Sequence, residues 1–216
     1  ETYFKFVITT HHIVCDGWSM SILLQDLSSL YSAYLTNTNP TIAAPVKFSD
    51  YAEEIHNLMA SPRYKKIEEF WISLFKEPIP IVELPTDYIR PSLRTYKNNR
   101  IDFELSSTVV DNLKKIGAKS GSGLVTTFIA AFEIFLYQLT GNNNLTLGLP
   151  TAGQSSNDMT HLVGHCVNLL PLRTNINPNN DFLNYLKIRK RPKLCNCRFF
   201  CCGCFCSSSC KCSRYS

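Results

Sequence analysis

Within nine residues, His11-His12-Ile13-Val14-Cys15-Asp16-Gly17-Trp18-Ser19 brings together two imidazoles, a carboxylate and a glycine. Imidazole is the side chain suited to taking or holding a proton near neutral pH. A carboxylate four residues beyond His12 is in range to orient it, as the acid of a triad does. Gly17 allows either a close backbone approach to a substrate or a positive φ at a turn. Packing alone does not call for this combination of residue types.

The flanking elements must hold these groups in place. Tyr3 to Thr10 is β-branched and aromatic and reads as a strand. Apolar residues at Met20, Leu23, Leu24, Leu27, Leu30, Tyr31 and Tyr34 have helical spacing, with Ser19 as the expected N-cap. The motif therefore belongs on a strand-to-helix turn facing a cleft. Side chains alternate along a strand, so His11 should face away from His12. His12 is thus the chemical candidate and His11 a structural one.

Further along, Thr36-Asn37-Thr38-Asn39-Pro40 is a polar break. Ala43 to Lys47 is extended, and Phe48-Ser49-Asp50-Tyr51 opens a helix with acidic groups in its first turns. Pro62 starts the next helix and Pro78 and Pro80 end helical structure. Residues 76–98 read as a connector. Arg100 to Leu105 alternates as a half-buried strand does, and Ser107 to Lys119 is a helix stopping before Gly121. Val125 to Thr140 is apolar enough for a core helix, interrupted only by Glu133. Leu145 to Leu149 and Val167 to Leu172 are strands about the Pro150-Thr151-Ala152-Gly153 turn. No internal repeat occurs.

The histidine motif resembles the active-site signature of condensation domains of non-ribosomal peptide synthetases, members of a wider chloramphenicol-acetyltransferase-like group. Phe48-Ser49-Asp50-Tyr51-Ala52 is similar to the motif following that signature. Leu84-Pro85-Thr86-Asp87 with Arg90-Pro91 resembles the family's inter-lobe connector. Thr146 to Gly153 and Val163-Gly164-His165-Cys166-Val167-Asn168-Leu169-Leu170-Pro171-Leu172-Arg173 resemble two signatures of its second lobe. Gly17-Trp18-Ser19-Met20 is closer to condensation than to epimerisation domains, and His11-His12 departs from cyclisation domains.

The resemblance implies an α/β, two-lobed chloramphenicol-acetyltransferase-like fold with a truncated N-terminal lobe. Residues 1–75 would be the end of that lobe, 76–98 the connector, 99–192 part of the C-terminal lobe, and 193–216 a separate tail. It implies an acyltransferase that joins aminoacyl or peptidyl thioesters carried on phosphopantetheine arms, with carrier and adenylation domains as partners. His12 would act at the acceptor amine, by taking its proton or by orienting it. Asp16 would pair with Arg173 to shape the loop, unless it orients His12 directly, and Asn168 would line the tunnel near the donor thioester. No cofactor or metal in this chain is implied. A stand-alone acyltransferase using coenzyme A thioesters is the alternative within the same fold group.

Composition narrows the partners. Of the net +5, Lys193, Arg198, Lys211 and Arg214 contribute +4, leaving +1 for the first 192 residues. There is no basic stripe with interleaved aromatics, which argues against a nucleic-acid partner. No apolar run approaches the roughly 18 residues a membrane span needs. Eight of the ten cysteines lie between Cys195 and Cys212, while Cys15 and Cys166 stand alone, a usage suited to a reducing cytoplasm. The cysteine-rich tail weakly resembles a thiolate cluster for soft metals. This leaves the third reading, an inactive fragment that binds metal through its tail. Otherwise the tail reads as disordered or as a non-native stretch. Glu1-Thr2-Tyr3 looks like the interior of a longer chain, and the 216 residues by themselves are expected to be inactive.

Overall fold

The computed structural model describes residues 3–79, 81–89, 91–93, 95–156 and 159–189. Arg90 and the cysteine-rich tail lie outside the described residues. Six helices and two strands follow in the order α1 (Gly17–Thr36), α2 (Phe48–Met59), α3 (Pro62–Leu74), α4 (Ser107–Ser120), α5 (Leu124–Thr140), β1 (Asn144–Ala152), β2 (Val167–Asn175) and α6 (Phe182–Arg189). The chain forms two compact units that are not sequential stretches. Among the described residues, the first comprises 3–73 and 149–170, and the second 74–148 and 171–189.

In the first unit, α1 ends at Asn37, whose left-handed backbone (φ 53°) lets its N–H reach the carbonyls of Ala33 and Tyr34. Leu149 to Ala152 completes β1, a short 3-10 turn follows at Gly153–Ser156, and Val167 opens β2. Gly153 donates its N–H to the Cys166 carbonyl at 2.9 Å. Val46 forms a parallel bridge with Leu162, which attaches the extended segment before α2 to the loop between the strands.

In the second unit, Ser106 caps α4 by accepting from the Val109 N–H, and Gly121 (φ 67°) ends it. α4, α5 and α6 pack against one another. Ala130, Leu136, Leu145, Ile176, Tyr185 and Leu186 form the core. Ile176 donates to the Asn143 carbonyl at 2.7 Å. Together with the Gly153–Cys166 bond at the other end, this shows that β1 and β2 run antiparallel. Glu133 is fully buried in α5, where Arg189 holds it at 2.8 Å and Tyr185 donates to it at 2.6 Å. The carboxylate that looked like an interruption in an apolar helix is the centre of a buried ion pair.

Two expected strands are absent among the described residues. Neither 3–10 nor 100–105 has ladder pairing, and Phe4, Phe6, Ile101 and Phe103 are exposed. β propensity measures suitability for a pleated, half-buried surface. It creates no strand where no neighbouring backbone supplies hydrogen bonds.

Candidate active site

Asp16, not Ser19, is the N-cap of α1. Its backbone is extended (φ −101°, ψ −176°), and its Oδ1 accepts from the Ser19 N–H at 2.8 Å. The assignment shifts by three residues because both are good capping residues, and the aspartate takes the position whose side chain reaches the third helical amide.

The same carboxylate reaches across the unit. Oδ2 accepts from Gln154 Nε2 at 3.0 Å and from the Cys166 N–H at 3.1 Å. Ser19 Oγ lies 2.7 Å from Asp16 Oδ1 and 2.9 Å from both the N and the O of Gly164. That hydroxyl has one proton. It accepts from the Gly164 N–H and donates along the shorter, charge-assisted contact to the carboxylate. Asp16 is buried. Burial alone would raise its pKa, but the bonds from Ser19, Cys166 and Gln154 outweigh it and hold the carboxyl below the usual carboxylate range. Burial, followed by the nearby Asp16 charge, pushes the Cys166 thiol up to about 11.

Arg173, the expected partner of Asp16, belongs to the second unit. Arg173 is occupied within its own unit. It donates to the carbonyls of Leu74, Glu77 and Pro78 at 3.2–3.3 Å and to Asn144 Oδ1 at 3.4 Å. It also lies over the Phe75 ring. A guanidinium carries five donors in a fixed fork, which suits a cluster of backbone carbonyls left open where α3 ends. Within its own unit, Asp16 accepts four hydrogen bonds that stabilise its charge.

His11 and His12 do not alternate across a strand. Val14 donates back to the His11 carbonyl at 3.1 Å, so the chain turns here. The Ile13 N–H donates to His11 Nδ1 at 3.2 Å, which commits that nitrogen to a lone pair. His12 is exposed, and its Nδ1 lies 3.1 Å from Nδ1 of His165, with ring planes 80° apart. Gly17 is not a positive-φ position. It opens α1, and a Cβ there would meet nothing within 4 Å. Trp18 donates its indole N–H to the Thr160 carbonyl at 2.9 Å.

The other motifs converge on the same unit. Phe48 and Tyr51, one turn apart on α2, lie against Gly164 and Gly153, and a Cβ at either glycine would collide with the facing ring or hydroxyl. The Asn168 carbonyl accepts from Thr151 Oγ1 at 3.3 Å. Inspection of the sequence misses two members of the site, Gln154 and His165. His165 stands inside a quoted signature, but a contact across 153 residues leaves no local pattern.

The condensation-domain family model matches residues 1–194. The chain belongs to the condensation-domain family. It is 31% identical over 189 residues to gramicidin S synthase 2 of Brevibacillus brevis, covering 88% of this chain and 4% of that protein. Against surfactin synthase subunit 1 of Bacillus subtilis it is 31% identical over 194 residues, covering 90% and 5% respectively. The first condensation domain of the CDA synthetase superposes with a TM-score of 0.71 at 22% identity, over 86% of this chain and 40% of that one. The fold is the α/β condensation-domain fold. The chain thus spans a small part of the synthetases it matches and under half of the solved domain. Among the described residues, no single helix is long and apolar enough to cross a membrane.

Proposed function

We propose that this chain contributes the histidine-bearing part of a condensation site that joins two carrier-bound acyl groups. The reading rests on one observation: His12 stands exposed on a turn whose following residue pair, Asp16 and Ser19, is buried and fully engaged. The acceptor amine attacks the donor thioester carbonyl, forming the C–N bond and an oxyanion. Collapse breaks the C–S bond and releases the phosphopantetheine thiol. His12 takes a proton from the attacking nitrogen and can return it to the leaving sulfur, so no other reagent is consumed. An α-amino group titrates at about 7.7–8.0, so the gain from a positioned base comes from timing and orientation more than from bulk deprotonation.

Asp16 serves this reaction at one remove, by holding the turn that presents His12. Gly17 keeps the approach open, and Asn168 borders it. The partners are phosphopantetheine-bearing carrier domains and the adenylation domain that charges them, in the cytoplasm.

The test uses the protein that carries this chain, with two aminoacyl-loaded carrier domains and product detection by mass spectrometry. His12→Ala should lower peptide formation by about 10²–10⁴-fold with an unchanged melting temperature. Near-wild-type transfer would overturn the assignment. An equal rate with a free coenzyme A thioester as donor would point instead to a stand-alone acyltransferase.

A further inference from the structure

We propose that His165 is a positioning residue that fixes the tautomer of His12. For the reaction, this deepens the reading of His12 given above and rests on it. Both imidazoles are exposed, yet both hang from clamped backbone. Gly164 donates its N–H to Ser19 Oγ, and the Cys166 N–H is bonded to Asp16. His165 lies between these two anchors. Four residues after His12, the same Asp16 and Ser19 start α1. One buried pair therefore sets the positions of both rings.

Two neutral Nδ1 atoms 3.1 Å apart form a hydrogen bond only if one carries the proton and the other the lone pair. When His12 is the donor, its Nε2 keeps its lone pair and can accept from an amine. When His12 takes up that proton, its Nδ1–H becomes a charge-assisted donor to the neutral His165 ring. His165 then does for His12 what a triad carboxylate does, without adding a negative charge. His11 is set the opposite way, since its Nδ1 already accepts from the Ile13 N–H. With His12 as the donor, the two neighbouring histidines have opposite tautomers, and His12 keeps the lone pair on its Nε2.

Two arms test this. In the first, nitrogen-15 NMR of the histidine-labelled 216-residue chain at mildly alkaline pH reads the tautomer of His12. Wild type should show Nδ1–H, His165→Ala should shift His12 toward Nε2–H, and His165→Asn should restore Nδ1–H. Asparagine places Oδ1 one bond from Cγ, where histidine places Nδ1, so it can still accept. Nε2–H in wild type, or no change in His165→Ala, would overturn the proposal.

The second arm is condensation kinetics with aminoacyl-loaded carrier domains. His165→Ala should reduce kcat on the order of tenfold with little change in KM, and His165→Asn should recover most of it. An unchanged kcat beside a shifted tautomer would overturn the role in the reaction. If His12→Ala leaves condensation intact while the tautomer behaves as expected, the proposed function fails and the imidazole pair stands.

Discussion

Asp16 Oδ2 accepts the backbone N–H of Cys166 at 3.1 Å, joining the start of α1 to the start of β2 across 150 residues. The carboxylate that looks like a partner for a catalytic histidine is instead the tie that holds the histidine-bearing turn against the loop before β2. Its chemistry should show in stability before it shows in rate.

The folded-state pKa of Asp16 lies below its ordinary 3.8. The stabilisation it gives is complete above the unfolded-state value and is lost as pH falls through the lower, folded value. Urea unfolding of wild type and Asp16→Asn should differ most at pH 7. The gap should shrink progressively from pH 4 downward, and a gap that is constant from pH 7 to pH 2.5 would contradict the assignment.

Asp16→Ala strands the donors of Ser19, Gln154 and Cys166 and should cost roughly 3 kcal/mol. Arg173→Ala should cost less, about 1–2 kcal/mol, because carbonyls near the surface can turn to water. Since the two residues share no partner, the double mutant should be additive within about 0.5 kcal/mol. Denaturant melts of the four proteins decide it. A coupling well above that would show that the two residues pair.

Gly164→Ala drives a methyl group into the Phe48 ring and disturbs the Ser19 contact on both sides of the residue. A loss of about 1–3 kcal/mol is expected, as for other overpacked sites. Adding Phe48→Leu should recover part of it. Thermal melts of the single and double variants read both effects.

Arg189→Ala leaves the Glu133 carboxylate buried with only Tyr185 to support it. Breaking a buried pair from one side typically costs about 3–5 kcal/mol. Replacing the pair with Glu133→Leu and Arg189→Met should be far milder. Comparing the two by urea midpoint tests whether the pair stabilises the α5–α6 contact or mainly specifies it.

Most elements are legible in the sequence because their ends are marked. Pro62 opens α3, Gly121 and Gly141 close α4 and α5, and the apolar runs at 145–149 and 167–172 become β1 and β2. α6 is harder to see in the sequence, although Asp181 accepts from the Asn184 N–H as an N-cap should. Eight residues carry too little periodicity to stand out. The segments 3–10 and 100–105 show the opposite error, since strand-like composition cannot reveal whether a pairing neighbour exists. At the site, His12 and Asp16 stand out in the sequence as candidates, but their contacts do not. Gln154, His165 and Cys166 reach them only through tertiary structure.

The Asp16 tie also sets an order of events during synthesis. Its nearest partner, Ser19, emerges at once, but Gln154 and Cys166 follow 138 and 150 residues later. At roughly 5–20 residues per second, the ribosome leaves that carboxylate waiting on the order of ten seconds or more. Through that interval α1 can form on its own cap, while His12 has no fixed neighbour. The site is thus assembled by Gln154 to Cys166 acting on His12 to Ser19, a high-contact-order closure that waits for the later segment.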